Sequence, residues 1–295
     1  MIRNTIPHMI LITGATGFVG RSLTRQLTQA GYEWRAYDGR INNPLVLRQQ
    51  LVGVDRVIHL AGAEGRGRNR LLQHVDVEGT ERVLEECQRA QVQHLIVISR
   101  IGADANSLHP LLRAKGEAER AVRRGGVPYT IIRAATLFGL GDRFSEIVLG
   151  LVIWSWPLAW LPDGGTVAMQ PLWVEDLARC LVQTVGREDL LGKTVTVAGE
   201  ERLRYQDIVR EIMVTTGLRR ILFKMPLVLL RPLTTIIFGW WHWPAMTRYF
   251  AERFFVPEVA DLDSVLRVYG FRPARFQETI AYLRRPGLRW RLFRH

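Results

Sequence analysis

Apolar positions in the first 140 residues fall into two alternating textures. Short runs such as "MILIT" at 9–13, "VDRVIHLAG" at 54–62, "HLIVIS" at 94–99 and "YTIIRA" at 129–134 are strand-length and largely apolar, as a strand covered on both faces requires. "WRAYD" at 34–38 reads as another strand. Between them lie segments with apolar residues on one helical face: "RSLTRQLTQAG", closed by Gly31, then "HVDVEGTERVLEECQRAQ", then the stretch around "HPLLRAKGEAER". This alternation predicts an α/β fold, a doubly wound parallel sheet with right-handed crossovers. No segment repeats at a solenoid period.

After residue 145 the pattern changes to aromatic-rich apolar segments broken by Pro157, Pro162, Pro226, Pro232, Pro244 and Pro257. The expected organisation is a first domain over 1–145, with 168–198 returning to it, and a smaller, mostly helical lobe over 146–295. Helical periodicity resumes across 245–285. The uncharged runs at 147–162 and 232–241 are shorter than the ~20 apolar residues of a spanning helix, so no transmembrane segment is expected. The N-terminal apolar stretch runs directly into glycines instead of a cleavage site, which argues against a signal peptide.

Composition is that of a globular chain, 47% hydrophobic and 23% charged. Cys87 and Cys180, both in helical segments, offer neither a disulfide framework nor metal-ligand spacing, and no metal is expected. The formal net charge is +12, and the tail "LRRPGLRWRLFRH" interleaves five Arg with Trp290 and Phe293. Such a surface suits an acidic partner, and with no nucleic-acid motif beside it an anionic membrane surface or a membrane protein complex is the expected one. The alternative is that the charge is spread over solvated faces. Six of the nine tryptophans lie in "IVLGLVIWSWPLAWLP" and "LTTIIFGWWHWPAMTRYFAERFF". These segments fit an aromatic core, an apolar pocket for a small lipophilic ligand, or an interfacial helix.

The candidate chemistry begins at "TGATGFVG". Gly14, Gly17 and Gly20 stand between a strand and a helix, the spacing with which glycines admit a pyrophosphate to a helix N-terminus in Rossmann-type sheets. Asp38, at the end of the second predicted strand, is the acidic residue expected to take the adenosine ribose hydroxyls, which favours NAD(H). Arg40 and Arg35 leave NADP(H) open. "EGRGRNR" at 64–70 reads as a solvated loop after the third strand, and Glu175 with Asp176 in "VEDLA" as helix-start acids and not catalysts.

"GATGFVG", "VIHLAG", "VEGTERVLEECQRAQVQHLIVIS", "RAKGEAE", "YTIIRAATLFGLGDRF" and "QPLWVEDLA" follow one another as in the extended and atypical short-chain dehydrogenase/reductases. Within them the chain most resembles the group of the thirty-nine-kilodalton nucleotide-binding accessory subunit of respiratory complex I. The resemblance runs from residue 9 to about 284, with 186–250 matching only in texture. It implies a dinucleotide held by Gly14, Thr16, Gly17, Phe18, Val19, Gly20, Asp38, Arg40, Leu60, Ala61, Gly62, Ser99, Lys115, Ala134 and Thr136. It also implies a Tyr and a Lys four apart on one helix face, helped by a Ser, with Tyr exchanging the proton and Lys holding the nicotinamide ribose.

By this alignment Lys115 is the family lysine, one of only three Lys among 40 basic residues. Its ammonium can donate to both ribose hydroxyls, which a planar guanidinium does with different size and geometry. Leu111 stands at the tyrosine position and has no proton to exchange. Ser99 is followed by Arg100 and Ile101 without further hydroxyls, and Ala134 replaces a usual proline. His109 and Arg113 are the nearest substitutes, His109 reading better as a helix-start residue.

The expected function is therefore an NAD(P)(H)-binding accessory or assembly protein of a membrane-bound electron-transfer complex, catalytically impaired, cytoplasmic and peripheral on the inner face of the membrane. Two alternatives stand beside it: an active oxidoreductase or isomerase on a quinone- or isoprenoid-like substrate, and a regulator that senses dinucleotide redox state.

Overall fold

The computed structural model describes residues 9–64, 69–226 and 253–285, together with Val228, Phe250, Gly287 and Leu288. The chain divides into two compact units. Unit 1 comprises the chain to Ala63, Arg68–Ala134 and Val174–Thr196. Unit 2 comprises Glu64–Gly67, Ala135–Trp173 and the chain from Val197.

Unit 1 is built on a six-stranded sheet. Its strands are β1 (Ile10–Thr13), β2 (Trp34–Ala36), β3 (Arg56–His59), β4 (His94–Arg100), β5 (Tyr129–Ala134) and β10 (Lys193–Val197). The spatial order is β10-β5-β4-β3-β1-β2, parallel at every junction from β2 to β5. The apolar runs became strands because both faces are covered: β1 is buried along its whole length, and Leu95, Ile96, Ile131 and Ile132 have no exposed surface. The order of strand addition reverses between β1 and β3, the switch point at which sheets of this kind bind ligands.

Helices α1 (Phe18–Gln29), α2 (Pro44–Gln50), α3 (Asn69–Leu71), α4 (Glu78–Arg89), α5 (Pro110–Arg124) and α7 (Val174–Thr184) belong to this unit. Gly31 follows α1 at φ +76°, as the sequence pattern requires. Two local readings are corrected. The second strand stops at Ala36: Tyr37 N–H makes a last bond to Ile12 O at 2.9 Å, and beyond it Gln50 binds both Asp38 N–H (3.1 Å) and Asp38 C=O (2.8 Å) in place of a neighbouring strand. The helix expected from residue 74 starts at Asn69 and passes through a π-helical turn at Leu72–Val77, a widening that a 3.6-residue pattern does not register.

Buried charge is fully paired where it matters most. Glu119 on α5 accepts Ser99 Oγ at 2.6 Å, Arg133 Nε and Nη2 at 2.8 and 2.7 Å, and Arg123 Nη2 at 2.7 Å. Burial pushes this carboxyl upward, yet the hydrogen bonds from Arg133, Ser99 and Arg123 outweigh it and hold Glu119 below its ordinary range. Glu175 on α7 is more than a helix-start acid: Ser22 Oγ (2.7 Å), Gln26 Nε2 (3.0 Å) and Arg25 (2.5 Å) bind it and tie α7 to α1. Cys87 and Cys180 are buried and free, and burial pushes the Cys87 thiol up to about 12.

Unit 2 contains α6 (Ser145–Trp154) and α8 (Tyr205–Thr216), with α9 (Ser264–Tyr269) and α10 (Phe276–Thr279). Its strands pair two by two: β6 (Leu137–Phe138) with β9 (Leu172–Trp173), β8 (Ala168–Met169) with β11 (Leu203–Arg204), and β7 (Leu158–Pro162) with β12 (Ile221–Met225). The described part of 245–285 is thus less helical than its periodicity suggests. Much of the aromatic texture is core: Phe138 packs edge-on to Phe276 and Tyr205 to Phe254, each at 4.8 Å between ring centroids. The β7–β12 ribbon also leaves apolar surface uncovered, with Trp156 74%, Ile221 66% and Phe223 45% exposed. The second tryptophan cluster (Trp240, Trp241, Trp243) and the basic tail from Arg289 lie outside the described residues, as do Gly65–Arg68 of the predicted loop.

Arg133→Met should lower the unfolding free energy by about 3 kcal/mol, because a buried carboxylate then keeps only part of its compensation. Urea denaturation measures this, and Arg133→Lys should recover only part of the loss because it lacks the two-pronged contact.

Candidate nucleotide-binding site

The chain leaves β1 at Gly14 with φ +74°, a conformation glycine takes without strain. A Cβ on Gly14 would lie 3.0 Å from Ala61 N and 3.1 Å from Leu60 C, so the turn after β1 is pressed onto the turn after β3. A Cβ on Gly20 would fall 2.3 Å from Ala15 O and 2.4 Å from Gly14 O, well inside contact distance. Gly17 N-caps α1 without a side-chain bond, its own N–H donating to Gly14 O at 3.0 Å. Phe18, Val19 and Gly20 therefore begin a helix whose N-terminal donors have no side-chain acceptor, the condition for binding an anion there. This cradle fits the pyrophosphate of a dinucleotide. Exposed Thr16 flanks it, its carbonyl accepting Arg21 Nη1 at 3.2 Å.

Beneath the two turns lies a polar chain that sequence reading missed. Thr80 Oγ donates to Asp76 O at 2.6 Å, so the His59 Nε2 contact to Thr80 at 3.1 Å is a donation from the imidazole. Burial, with the Lys115 charge, holds His59 at about 3, so the ring is neutral and its Nδ1 accepts Thr13 Oγ at 2.7 Å. Thr13 Oγ in turn accepts Leu60 N–H at 3.2 Å and Ala61 N–H at 3.3 Å. Every donor finds an acceptor, which fixes the tautomer and the turn together.

Asp76 sits in the π-helical turn with 1% of its surface exposed. Its Oδ2 accepts Ala63 N–H at 2.8 Å, and its Oδ1 pairs with Lys115 Nζ at 2.7 Å. Gly62 lies over the pair: a Cβ there would be 3.1 Å from Asp76 Oδ1 and 3.5 Å from Lys115 Nζ. The structure thus brings Gly14, Leu60, Ala61, Gly62 and Lys115 into one neighbourhood through Asp76. A charged residue on the buried phase of "LLQHVDVEGT" was the available signal for it.

Other expected residues are placed differently. Leu111, one turn before Lys115, is 1% exposed. The Ser99 hydroxyl donates to Glu119. His109 is the N-cap residue of α5, and Arg113 is exposed on its outer face. Asp38 and Arg40 follow β2 and are exposed, the Asp38 backbone being held by Gln50. Ala134 closes β5 and accepts Ile101 N–H at 3.1 Å. Thr136 lies in unit 2, where its hydroxyl donates to Glu258. No group of metal-binding residues occurs among the described residues.

Residues 34–143 match a protein family described as NAD(P)H-binding. The MoeE5 structure with UDP-glucose and NAD superposes with a TM-score of 0.72 at 20% identity, covering 92% of this chain and 96% of that one. The chain has a Rossmann-like α/β fold, with an NAD(P)H-binding family match over residues 34–143. Among sequence relatives of this Rossmann-fold protein, the mitochondrial NADH-ubiquinone oxidoreductase 40 kDa subunit of Neurospora crassa is 23% identical over 292 residues, covering 90% of this chain and 76% of that one. The photosystem II assembly factor Ycf39 of Synechocystis is 23% identical over 298 residues, covering 93% and 89%. Ceramide reductase of Caulobacter vibrioides is 30% identical over 192 residues, covering 59% and 60%.

His94, which donates through Nε2 to Thr130 Oγ at 2.8 Å, is held at about 4, chiefly by burial. Both histidines are bases whose folded value lies below the unfolded one near 6.5. The stability they contribute is complete above pH 6.5 and is lost as pH falls toward 4 and 3, at up to about 1.4 kcal/mol per pH unit for each. Thermal unfolding should show Tm declining from about pH 6.5, before carboxylates protonate, and His94→Gln should flatten that decline by about half.

Proposed function

We propose that this protein holds NAD(P)(H) as a structural or redox-sensing group and serves as an accessory or assembly protein of a membrane-bound electron-transfer complex. The observation that carries the reading is the state of the three positions on which the family's proton chemistry depends. Leu111 is a buried hydrocarbon, the Ser99 proton is given to Glu119, and the Lys115 ammonium is paired with Asp76. Residues that would bind a dinucleotide are kept, and the tyrosine that would exchange a proton with a substrate is replaced. NAD(H) is the favoured form, since the exposed Asp38 carboxylate accepts ribose hydroxyls and repels a 2′-phosphate.

Support for the partner comes from two sides. Relatives include a subunit of NADH-ubiquinone oxidoreductase and a photosystem II assembly factor. The net charge of +12 and the exposed Trp156, Ile221 and Phe223, with Arg219 and Lys224 nearby in sequence, suit an anionic membrane surface or a membrane protein. No described helix is long and apolar enough to cross a membrane, so the attachment we envisage is peripheral, on the inner face. The second reading, an active reductase on a lipophilic substrate, is favoured by the similarity to ceramide reductase.

Purification from native membranes in mild detergent, with mass spectrometry of co-migrating chains and released nucleotide, separates the two. The accessory reading expects fixed stoichiometry with a membrane complex and bound NAD(H). Isolation as a free chain, with a substrate-dependent NAD(P)H absorbance change abolished by Lys115→Ala, would instead establish the reductase. Asp38→Ser should narrow any preference for NAD over NADP by about tenfold, a change of ~1.4 kcal/mol in relative affinity read by competition binding.

A further inference from the structure

We infer that Asp76 is a positioning residue of the nucleotide site: it supplies the negative charge that the Lys115 ammonium requires and fixes that ammonium against the turn at Leu60–Ala63. The inference rests on the nucleotide-holding reading and concerns a residue outside the glycine motif.

Lys115 is only 16% exposed in its side chain, and an ammonium withdrawn from water requires compensation. Position 111, one turn earlier on the same helix, supplies a leucine. Among the charged and titratable groups around the ammonium, His59 on β3 is held neutral by burial. Glu119, one turn further along α5, is committed to Ser99, Arg133 and Arg123. Asp76 from the π-helical turn is the group that meets Nζ, at 2.7 Å.

Its second oxygen is equally committed, to Ala63 N–H at 2.8 Å, and its own carbonyl accepts Thr80 Oγ, which holds His59. One residue therefore links α5, the π-helical turn and the turn after β3. The pair leaves the pocket electrically neutral while keeping ammonium hydrogens free to donate. The arrangement separates two duties of the family's Tyr and Lys: negative charge is retained, in Asp76, and the exchangeable proton is not.

The test uses the full chain and two readouts. Only three lysines are present, so 13Cε-lysine NMR resolves Lys115 after assignment by substitution. Asp76→Asn keeps an oxygen for Ala63 N–H and removes the charge. The Lys115 resonance should then titrate about one pH unit lower than in the wild type, because the desolvated ammonium has lost its partner. In NADH fluorescence titrations Asp76→Asn should weaken about twofold between pH 6.5 and 9.5, against about a tenth for the wild type. Asp76→Asn/Lys115→Met should bind no worse than the poorer single variant.

An unchanged Lys115 titration in Asp76→Asn, or losses that multiply in the double variant, would overturn the inference. If the wild type binds no NADH, the nucleotide-holding reading falls, while the lysine titration still decides the pairing. Should Asp76→Asn fail to fold, Asp76→Glu, which keeps the charge, must leave the Lys115 titration near that of the wild type, and a downward shift there would also refute the idea.

Discussion

The backbone after β1 lies against the backbone after β3, with Gly14 so close to Leu60 and Ala61 that a Cβ there would press on their backbone at 3.0–3.1 Å. This approach sets the rest of unit 1. It brings the N-terminus of α1 to the switch point of the sheet, and it leaves the part-buried N–H groups of Leu60 and Ala61 to be met from beneath. Thr13, His59, Thr80 and Asp76 meet that requirement in one unbroken chain of hydrogen bonds. Pyrophosphate cradle and polar underlayer are therefore parts of one construction, and a change in either is felt in the other.

Buried charge in this unit is compensated locally. Glu119 is met by two arginines and a serine, Glu175 by an arginine, a glutamine and a serine, and Asp76 by a lysine and a backbone N–H. Such pairs contribute little net stability beside an apolar core, but they are costly to break singly. Ser99 and Lys115, which in an active relative would serve substrate and cofactor, each have a carboxylate partner here.

The sheet was legible because its strands are local: "ILIT" and "YTIIRA" declare burial on both faces without reference to any other segment. The glycine turn was legible for a similar reason, since the clashes that require glycine at 17 and 20 are with Gly14 and Ala15, although the contact of Gly14 with Leu60 and Ala61 is not local. What the sequence concealed depends on separation. Asp76 reaches Ala63 across 13 positions, Ser99 reaches Glu119 across 20, and Glu175 reaches Ser22 across 153. Each residue type was visible, but its partner was decided by the packing of elements. The π-helical turn was hidden by another cause: it breaks the period on which helix reading relies, and it carries Asp76 into the site by doing so.

The central claim is that the Gly14–Gly20 cradle holds a dinucleotide in a chain that lacks the family's proton donor. Equilibrium dialysis of purified chain against labelled NAD(H), with Gly20→Val as the control, addresses it most directly. One nucleotide bound per chain, lost in Gly20→Val while the far-ultraviolet circular dichroism persists, is the outcome the account predicts. Equal binding by the wild type and Gly20→Val, or none by a folded wild type, would contradict it.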